Sequence, residues 1–240
     1  MSRTVVFSGS GIKSLSHLTS ETISTVKDAD LVAYLLNNSV LENWVKSVQE
    51  NTYSLASEYA ISNDRAVSYR AISDKIISLS KEHLNLCVLI YGHPLLISNS
   101  VQSAIKNLKQ EGADVVVLPA VSSLDCLFAD LCIDPIAGGV LALDASDWLL
   151  SKKTIDSSYH FILFQIGLLE IFELPTKNST QESLLKLKEQ LLKTYDRNHK
   201  VIIYEASIYP HLKAKIIEST INNLPILTLS NLSTLYIPPE

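Results

Sequence analysis

The chain is 240 residues long, 47% hydrophobic and 19% charged, a composition that supplies a large core and excludes the disordered and collagen-like classes. Its 25 acidic residues outweigh 20 basic ones to a net charge of -5, with no basic run interleaved with aromatics, which argues against a nucleic-acid partner. The length fits one large core or two closely packed ones, and the longest stretch without Asp, Glu, Lys or Arg holds Gly92, His93 and Pro94, so no membrane-spanning helix is expected.

Only Val5, Val6 and Phe7 precede Ser8 and Gly9, too little for the apolar region of a secretory signal, so the cytoplasm is the expected location. The same three residues read as a short buried strand that breaks into Ser8-Gly9-Ser10-Gly11, after which Thr19 is placed to cap a helix carrying Ile23, Val26 and Lys27. Residues 31–35 read as a second strand, a short helix is expected around 41–48, and Asp64 can cap a helix with Tyr69, Ile72, Ile76 and Leu79 on its apolar face. Residues 86–91 form a continuous apolar run, 101–110 a helix, and 114–118 another apolar run ending at Pro119. Such runs suit strands buried on both faces of a parallel sheet. A helix over 121–131 follows, and then the texture changes. Residues 160–166, 201–205, 226–229 and 234–237 are strand-like, Leu184, Leu187, Leu191 and Tyr195 mark one helix, and the polar patch at 176–180 reads as a loop.

Ligands of α/β folds bind beyond the carboxyl ends of strands, here the loops after Phe7, Tyr91, Leu118 and Ile166. Gly9-Ser10-Gly11, with Ser14 where a third glycine would stand, is a partial dinucleotide fingerprint, and a tight structural turn explains it equally well. The helix after it starts too late for a pyrophosphate site, so nicotinamide binding is not expected. Tyr91-Gly92-His93-Pro94 brings exposed backbone and two polar aromatic side chains to the end of a strand; a functional loop and a strand-terminating turn with a hydrogen-bonded His93 both fit. Arg65 and Tyr69 are i,i+4 neighbours and project from one helix face near Tyr59, although spacing alone favours a core tyrosine covered by a surface arginine. Ser122-Ser123 lacks the G-x-S-x-G elbow of a hydrolase that would use His93 and Asp125, and Ser122 reads as a helix cap. No C-x-x-C or H-E-x-x-H spacing occurs, so no metal is expected. Cys87, Cys126 and Cys132 sit in apolar segments as reduced core thiols do, and the sequons at Asn37, Asn178 and Asn231 are chance matches.

Taken in order, Val5-Val-Phe-Ser-Gly-Ser-Gly11, Lys27-Asp-Ala-Asp-Leu31, Tyr91-Gly-His-Pro94, Pro119-Ala-Val-Ser-Ser-Leu124 and Phe128-Ala-Asp-Leu131 resemble the tetrapyrrole (corrin and porphyrin) methylase superfamily over nearly the whole chain. Within it, Asp125-Cys-Leu-Phe-Ala-Asp130 with Asp134-Pro135, Gln165, Tyr204-Glu-Ala206 and Leu232-Ser-Thr-Leu-Tyr-Ile-Pro-Pro239 resemble the borosin-type peptide backbone α-N-methyltransferases. The resemblance implies a two-domain α/β fold, with a parallel-sheet N-terminal domain over residues 1–119 and a mixed-sheet domain over 120–240. It implies S-adenosylmethionine in the cleft between them, near Tyr91, His93, Leu96, Ser123, Gln165, Ala206, Ser233 and Thr234, with S-adenosylhomocysteine as product. It also matches a family pattern of tyrosine, arginine and tyrosine onto Tyr59, Arg65 and Tyr69, with Tyr91 as a fourth catalytic residue.

A peptide N–H is barely acidic and its nitrogen lone pair is delocalised into the carbonyl, so it must be activated before methylation. A tyrosinate at Tyr69 or Tyr59 would accept the proton, Arg65 would lower the tyrosine pKa and stabilise charge on the peptide oxygen, and Tyr91 would hold the alignment. Three departures from the family stand out: Leu95 in place of a glycine, Ala120 and Ser123 in Pro119-Ala-Val-Ser-Ser123, and Ile136 after Asp134-Pro135. Fused members carry their own substrate peptide after the enzyme, whereas this sequence stops at Glu240, so the expectation is the split type: iterative methylation of a separate precursor, on a homodimer that forms a heterotetramer with it. The alternatives are methylation of a tetrapyrrole carbon, disfavoured by the lack of clustered basic residues, and a non-catalytic peptide-binding relative.

Overall fold

The computed structural model describes residues 3–151, 153–171 and 179–240; most of the polar patch at 176–180, with Asn178, lies outside the described residues. The chain divides into two compact units, Met1–Cys126 with Ile208–Leu212, and Leu127–Ser207 with Lys213–Glu240. The sequence reading put the division at 119/120. The first unit contains β1 (Thr4–Gly9), α1 (Ser20–Asp28), β2 (Leu31–Leu35), α2 (Ser39–Val48), β3 (Thr52–Ser54), α3 (Ala56–Tyr59), α4 (Arg65–Glu82), β4 (Asn85–Ile90), α5 (Asn99–Gln110) and β5 (Asp114–Val117). α6 (Ser123–Leu131) runs across the point of division, and the second unit continues with β6 (Val140–Asp144), α7 (Ala145–Ser151), β7 (His160–Phe164), α8 (Gln181–Leu191), β8 (Lys200–Glu205), β9 (Lys215–Thr220) and β10 (Thr234–Ile237).

In the first unit the strands lie in the order β3-β2-β4-β1-β5, and every pair is parallel. Both faces are covered, as the apolar runs required. Leu31, Ala33, Leu86, Val88 and Ile90 pack with Ile72 and Ile76 of α4 and Val101, Ala104 and Leu108 of α5. The intervening Val32, Tyr34, Cys87 and Leu89 face the other way, against Val26 of α1 and Val45 of α2. This strict alternation is the strand period of two, read out by helices on opposite faces. The helices begin where capping chemistry allows. Thr19, Asn38 and Asp64 accept from the backbone N–H of Thr22, Leu41 and Ala66 at 3.0, 2.9 and 2.8 Å.

The second unit's sheet runs β6-β7-β10-β8-β9; β6 is parallel to β7, while β10 is antiparallel to both its neighbours and β8 to β9. Phe161, Leu163, Val201, Ile203, Leu235 and Ile237 form one buried face with Trp148 of α7, Leu184, Leu187 and Leu191 of α8, and Tyr195.

Two expectations are corrected here. Residues 226–229 are not a strand: a 3-10 turn, Ile221–Ile226, contains Pro225, whose missing N–H cannot join a ladder. Cys132 is exposed rather than in the core, because it follows α6 in a left-handed conformation (φ 54°) that turns the chain away, whereas Cys87 and Cys126 are buried. No helix among the described residues is long and apolar enough to cross a membrane.

Candidate active site

The carboxyl ends of β1, β2 and β4 bring three loops of the first unit together. Ser10 N–H donates to the Ile90 carbonyl at 2.8 Å, and Gly11 and Gly92 exchange backbone bonds of 3.2 and 3.1 Å. A Cβ on Gly9 would collide with the Gly92 carbonyl oxygen and lie 2.6 Å from the Ala120 Cβ. The glycine loop is therefore explained by close packing against the loop of Tyr91-Gly92-His93-Pro94, the structural-turn side of its sequence reading. Gly92 itself has φ 74°. His93 acts as the turn's fastener: its Nδ1 accepts from Leu95 N–H at 3.1 Å and its carbonyl from Leu96 N–H at 3.2 Å. Leu95, in the position where the family has glycine, is exposed.

Tyr91 N–H donates to the Leu35 carbonyl at 3.0 Å, which ties the end of β4 to the end of β2. Its phenol lies in the wall of a cavity of about 420 Å³ together with Tyr59, Tyr69, Asn37 and Leu96, and with Leu35, Ile72 and Ile90 behind them. No Asp, Glu, Lys or Arg is among the described lining residues. Ile97 shares the wall at φ 51°, a strained conformation for a β-branched residue.

Tyr59 closes α3, and Arg65 opens α4 with Tyr69 one turn on, so the i,i+4 spacing brings the pair into contact. Arg65 donates to Tyr69 Oη from Nη2 at 3.0 Å and from Nε at 3.3 Å, with its guanidinium carbon 5.7 Å from the ring centroid. Burial pushes the Tyr59 phenol above its ordinary value, the neighbouring Tyr69 adds to this, and Arg65 opposes it. Arg65 thus acts on Tyr59 in the expected direction, and desolvation outweighs it. Burial also raises Tyr91; a side-chain hydrogen bond from Asn37 opposes that, and Cys126 adds to it.

Ser123 is the first residue of α6, while Ser122 does the capping: its Oγ accepts from Leu124 and Asp125 N–H, both at 3.2 Å, and donates to Asp125 Oδ2 at 2.6 Å. Asp125 is thereby engaged in the cap.

In the second unit, antiparallel pairing sets the start of β10 beside the ends of β7 and β8, so Gln165, Ala206, Ser233 and Thr234 gather at one sheet edge. Gln165 is left-handed at φ 59°, and the Ile166 N–H after it donates to the Ser233 carbonyl at 3.1 Å. Ser233 is fully buried; its Oγ donates to Glu205 Oε1 at 2.6 Å and accepts from Ser230 N–H at 2.9 Å. Burial alone would raise the Glu205 carboxyl, but hydrogen bonds from Ser233, Lys215 and Ser230 hold it below the usual range. The Ser233 hydroxyl is spent on building this corner, which leaves Gln165 and Ala206 as its less buried members. Sequence reasoning gave Asn37 no place in the site, noting it only as a sequon. The signal was its position two residues beyond the carboxyl end of β2.

A parallel doubly wound unit with a tyrosine-lined cavity at its carboxyl edge, followed by a mixed-sheet unit, defines a two-unit α/β chain of the methylase type. The chain belongs to the tetrapyrrole (corrin/porphyrin) methylases, whose family model matches residues 4–234. Its fold matches the uroporphyrin-III-C-methyltransferase of Thermus thermophilus with a TM-score of 0.69 at 17% identity, over 100% of this chain and 93% of that one. A second structure of that enzyme, complexed with S-adenosylhomocysteine, gives 0.66 at 14% identity over 98% and 92%. Among sequence relatives, the methyltransferase/ribosomally synthesized cyclic peptide gymnopeptides precursor of Gymnopus fusipes is 31% identical over 97% of this chain and 56% of its own length. The corresponding lentinulin A precursor of Lentinula edodes is 31% identical over 97% and 57%, and a type III borosin cyclic peptide precursor of Anomoporia bombycina 30% over 98% and 28%. The chain therefore spans about half the length, or less, of these relatives.

Proposed function

We propose that this chain transfers methyl groups from S-adenosylmethionine to successive backbone amide nitrogens of a peptide carried on a separate precursor protein. The observation that carries the reading is the Arg65 fork on Tyr69 Oη beside a cavity with no ionised group among its described lining residues. A neutral, poorly acidic amide suits such a wall. A tetrapyrrole carrying many carboxylates would need cations there, so carbon methylation of that class, which the fold neighbours and the family name bring forward, is the second reading.

The residues fit the cofactor. Tyrosine faces and aliphatic groups accommodate a sulfonium and an adenine, and in the first unit Tyr91, His93, Leu96 and Ser123 would hold it. When bound, it supplies an electrophilic methyl group and leaves as S-adenosylhomocysteine. Tyr69 is the base in this scheme, because the two hydrogen bonds from Arg65 fix the position of its oxygen. Tyr59, kept protonated by burial, donates to the peptide oxygen as the amide proton leaves its nitrogen. Tyr91 fixes the peptide plane against the methyl group, so much of the rate comes from placement in a water-poor site. The working form inferred from the resemblance is a cytoplasmic homodimer that holds two precursor chains.

The test is tandem mass spectrometry of the short protein encoded nearest this one, co-expressed with it. Methyl groups localised to backbone amides are expected. A partner that co-purifies unmodified would replace catalysis by binding, and absence of association with methylation of an added porphyrinogen would establish the second reading.

A further inference from the structure

Beside the glycine loop after β1 stands a histidine that the proposed chemistry does not use. His17 ends a 3-10 turn, Ser14–His17, and its Nδ1 accepts two backbone bonds, from Ile12 N–H at 3.2 Å and from Lys13 N–H at 3.1 Å. Neither N–H has another partner among the described residues, and Ile12 is buried, so without the ring a donor is left orphaned inside the protein. A Cβ on Gly11 would collide with the Cβ of His17, so the start and end of the loop are in contact. From this loop Ser10 N–H donates to the Ile90 carbonyl, and Gly11 exchanges two backbone bonds with Gly92. The residues on either side of Tyr91 are thus both held by the loop that His17 closes.

We infer that His17 is a positioning residue for methyl transfer: its unprotonated Nδ1 closes the glycine loop, and the loop fixes Tyr91 through Ile90 and Gly92. This rests on the function proposed above. An imidazolium carries a proton on Nδ1 and can accept neither bond, so protonation and closure exclude each other. The charged groups that bear on the ring are Lys13, on the loop itself, and Asp125, on α6. Burial and then Lys13 lower the His17 pKa from its ordinary 6.5, and Asp125 opposes them. The neutral, closed form is therefore fully in place above pH 6.5 and is lost as the pH falls through the lowered folded value.

The experiment uses the full chain and follows amide hydrogen exchange by NMR, corrected for the intrinsic pH dependence of exchange. At neutral pH the amides of Ile12, Lys13 and Gly92 are protected. Protection of all three falls together as His17 takes up its proton, a titration read on the same sample with 15N-labelled histidine. His17→Ala abolishes this protection at every pH, whereas His17→Asn, whose amide oxygen takes nearly the place of Nδ1 and does not titrate, restores it and removes the acid limb. In turnover, His17→Ala lowers kcat by about 10–10²-fold, the scale for misplacing an aligned group, and His17→Asn stays active at the acid pH where the wild type loses kcat. Protection at Gly92 that is indifferent both to His17→Ala and to the His17 titration overturns the inference, as does an acid limb in His17→Asn equal to that of the wild type. The wild-type titration and His17→Asn decide the matter even where His17→Ala does not fold. Exchange requires no substrate. Failure of the wild-type enzyme to methylate any peptide therefore sinks the proposed function while the link from His17 to Gly92 is still decided.

Discussion

Arg65 brings two donors to one phenol oxygen, and that geometry makes Arg65→Lys as informative as Arg65→Ala. A lysine supplies a point charge without the planar fork, so it restores electrostatics and not alignment. Methyl transfer in Arg65→Ala is expected to fall by about 10²–10⁴, the range for removing acid–base assistance, with Arg65→Lys between it and the wild type. Single-turnover mass spectrometry of a precursor peptide reads both, and undiminished turnover in Arg65→Ala would remove Tyr69 as the base. At this scale the sequence was partly legible. The pairing of Arg65 with Tyr69 follows from helical spacing, but its rank above a core tyrosine under a surface arginine came from the resemblance. Asn37 was hidden because it joins Tyr91 in the cavity wall through strand adjacency: β2 lies beside β4, a fact of topology that no local pattern encodes. Cys132 was misplaced for a similar reason, since apolar neighbours in sequence do not say which way a chain turns after a helix.

Helix starts were the most readable elements, because a cap is a local bargain between one side chain and the orphan N–H groups of the first turn. Thr19, Asp64 and Ser122 were each placed as caps from sequence, and each accepts a backbone N–H within three residues. The strands β3, β6 and β9 went unread. β3 has only three residues, and β9 is an edge strand whose polar residues Lys215, Glu218 and Ser219 break the apolar signal. The Asp64 cap has a consequence beyond stability, since Arg65 and Tyr69 occupy the first turns of α4. Asp64→Ala should cost about 0.5–2 kcal/mol in urea unfolding and should also lower methyl transfer by fraying the turn that aims Arg65. Asp64→Asn keeps a capping oxygen and should largely restore both. A loss of activity as large in Asp64→Asn as in Asp64→Ala would point to the carboxylate's charge instead of the cap.

The parallel unit was legible from texture, as unbroken apolar runs separated by helices; for the second unit texture gave only a looser pattern, and its mixed sheet came from the resemblance. The division was harder to place, because α6 is a single continuous helix across Cys126 and Leu127 and so carries no linker composition. Each unit also buries a titratable group that it cannot easily ionise. Burial pushes the Cys87 thiol, in β4, up to about 12 from 9.0. Burial, with smaller contributions from Glu240 and Asp156, pushes the Tyr195 phenol to about 12 from 10.0. Tyr195 is 3% exposed, and its hydroxyl has no hydrogen-bond partner among the described residues. In both cases the folded pKa is raised, so below pH 9 neither group changes stability. Above the unfolded values the unfolded chain loses protons that the folded one retains, and stability falls until the folded pKa is passed. For Cys87 alone the slope is about 1.4 kcal/mol per pH unit across that window. Thermal melts should therefore be level up to pH 9 and drop steeply by pH 11. Tyr195→Phe separates the two contributions. It keeps the ring, which lies 4.9 Å from that of His199, and removes the unpartnered hydroxyl, so at pH 7 it should melt no lower than the wild type and as much as about 1 kcal/mol more stable. Above pH 10 its melting temperature should fall less steeply than the wild type's, because one of the buried groups that resist ionisation has been removed; parallel alkaline limbs would mean that Tyr195 gains access to solvent before the chain unfolds.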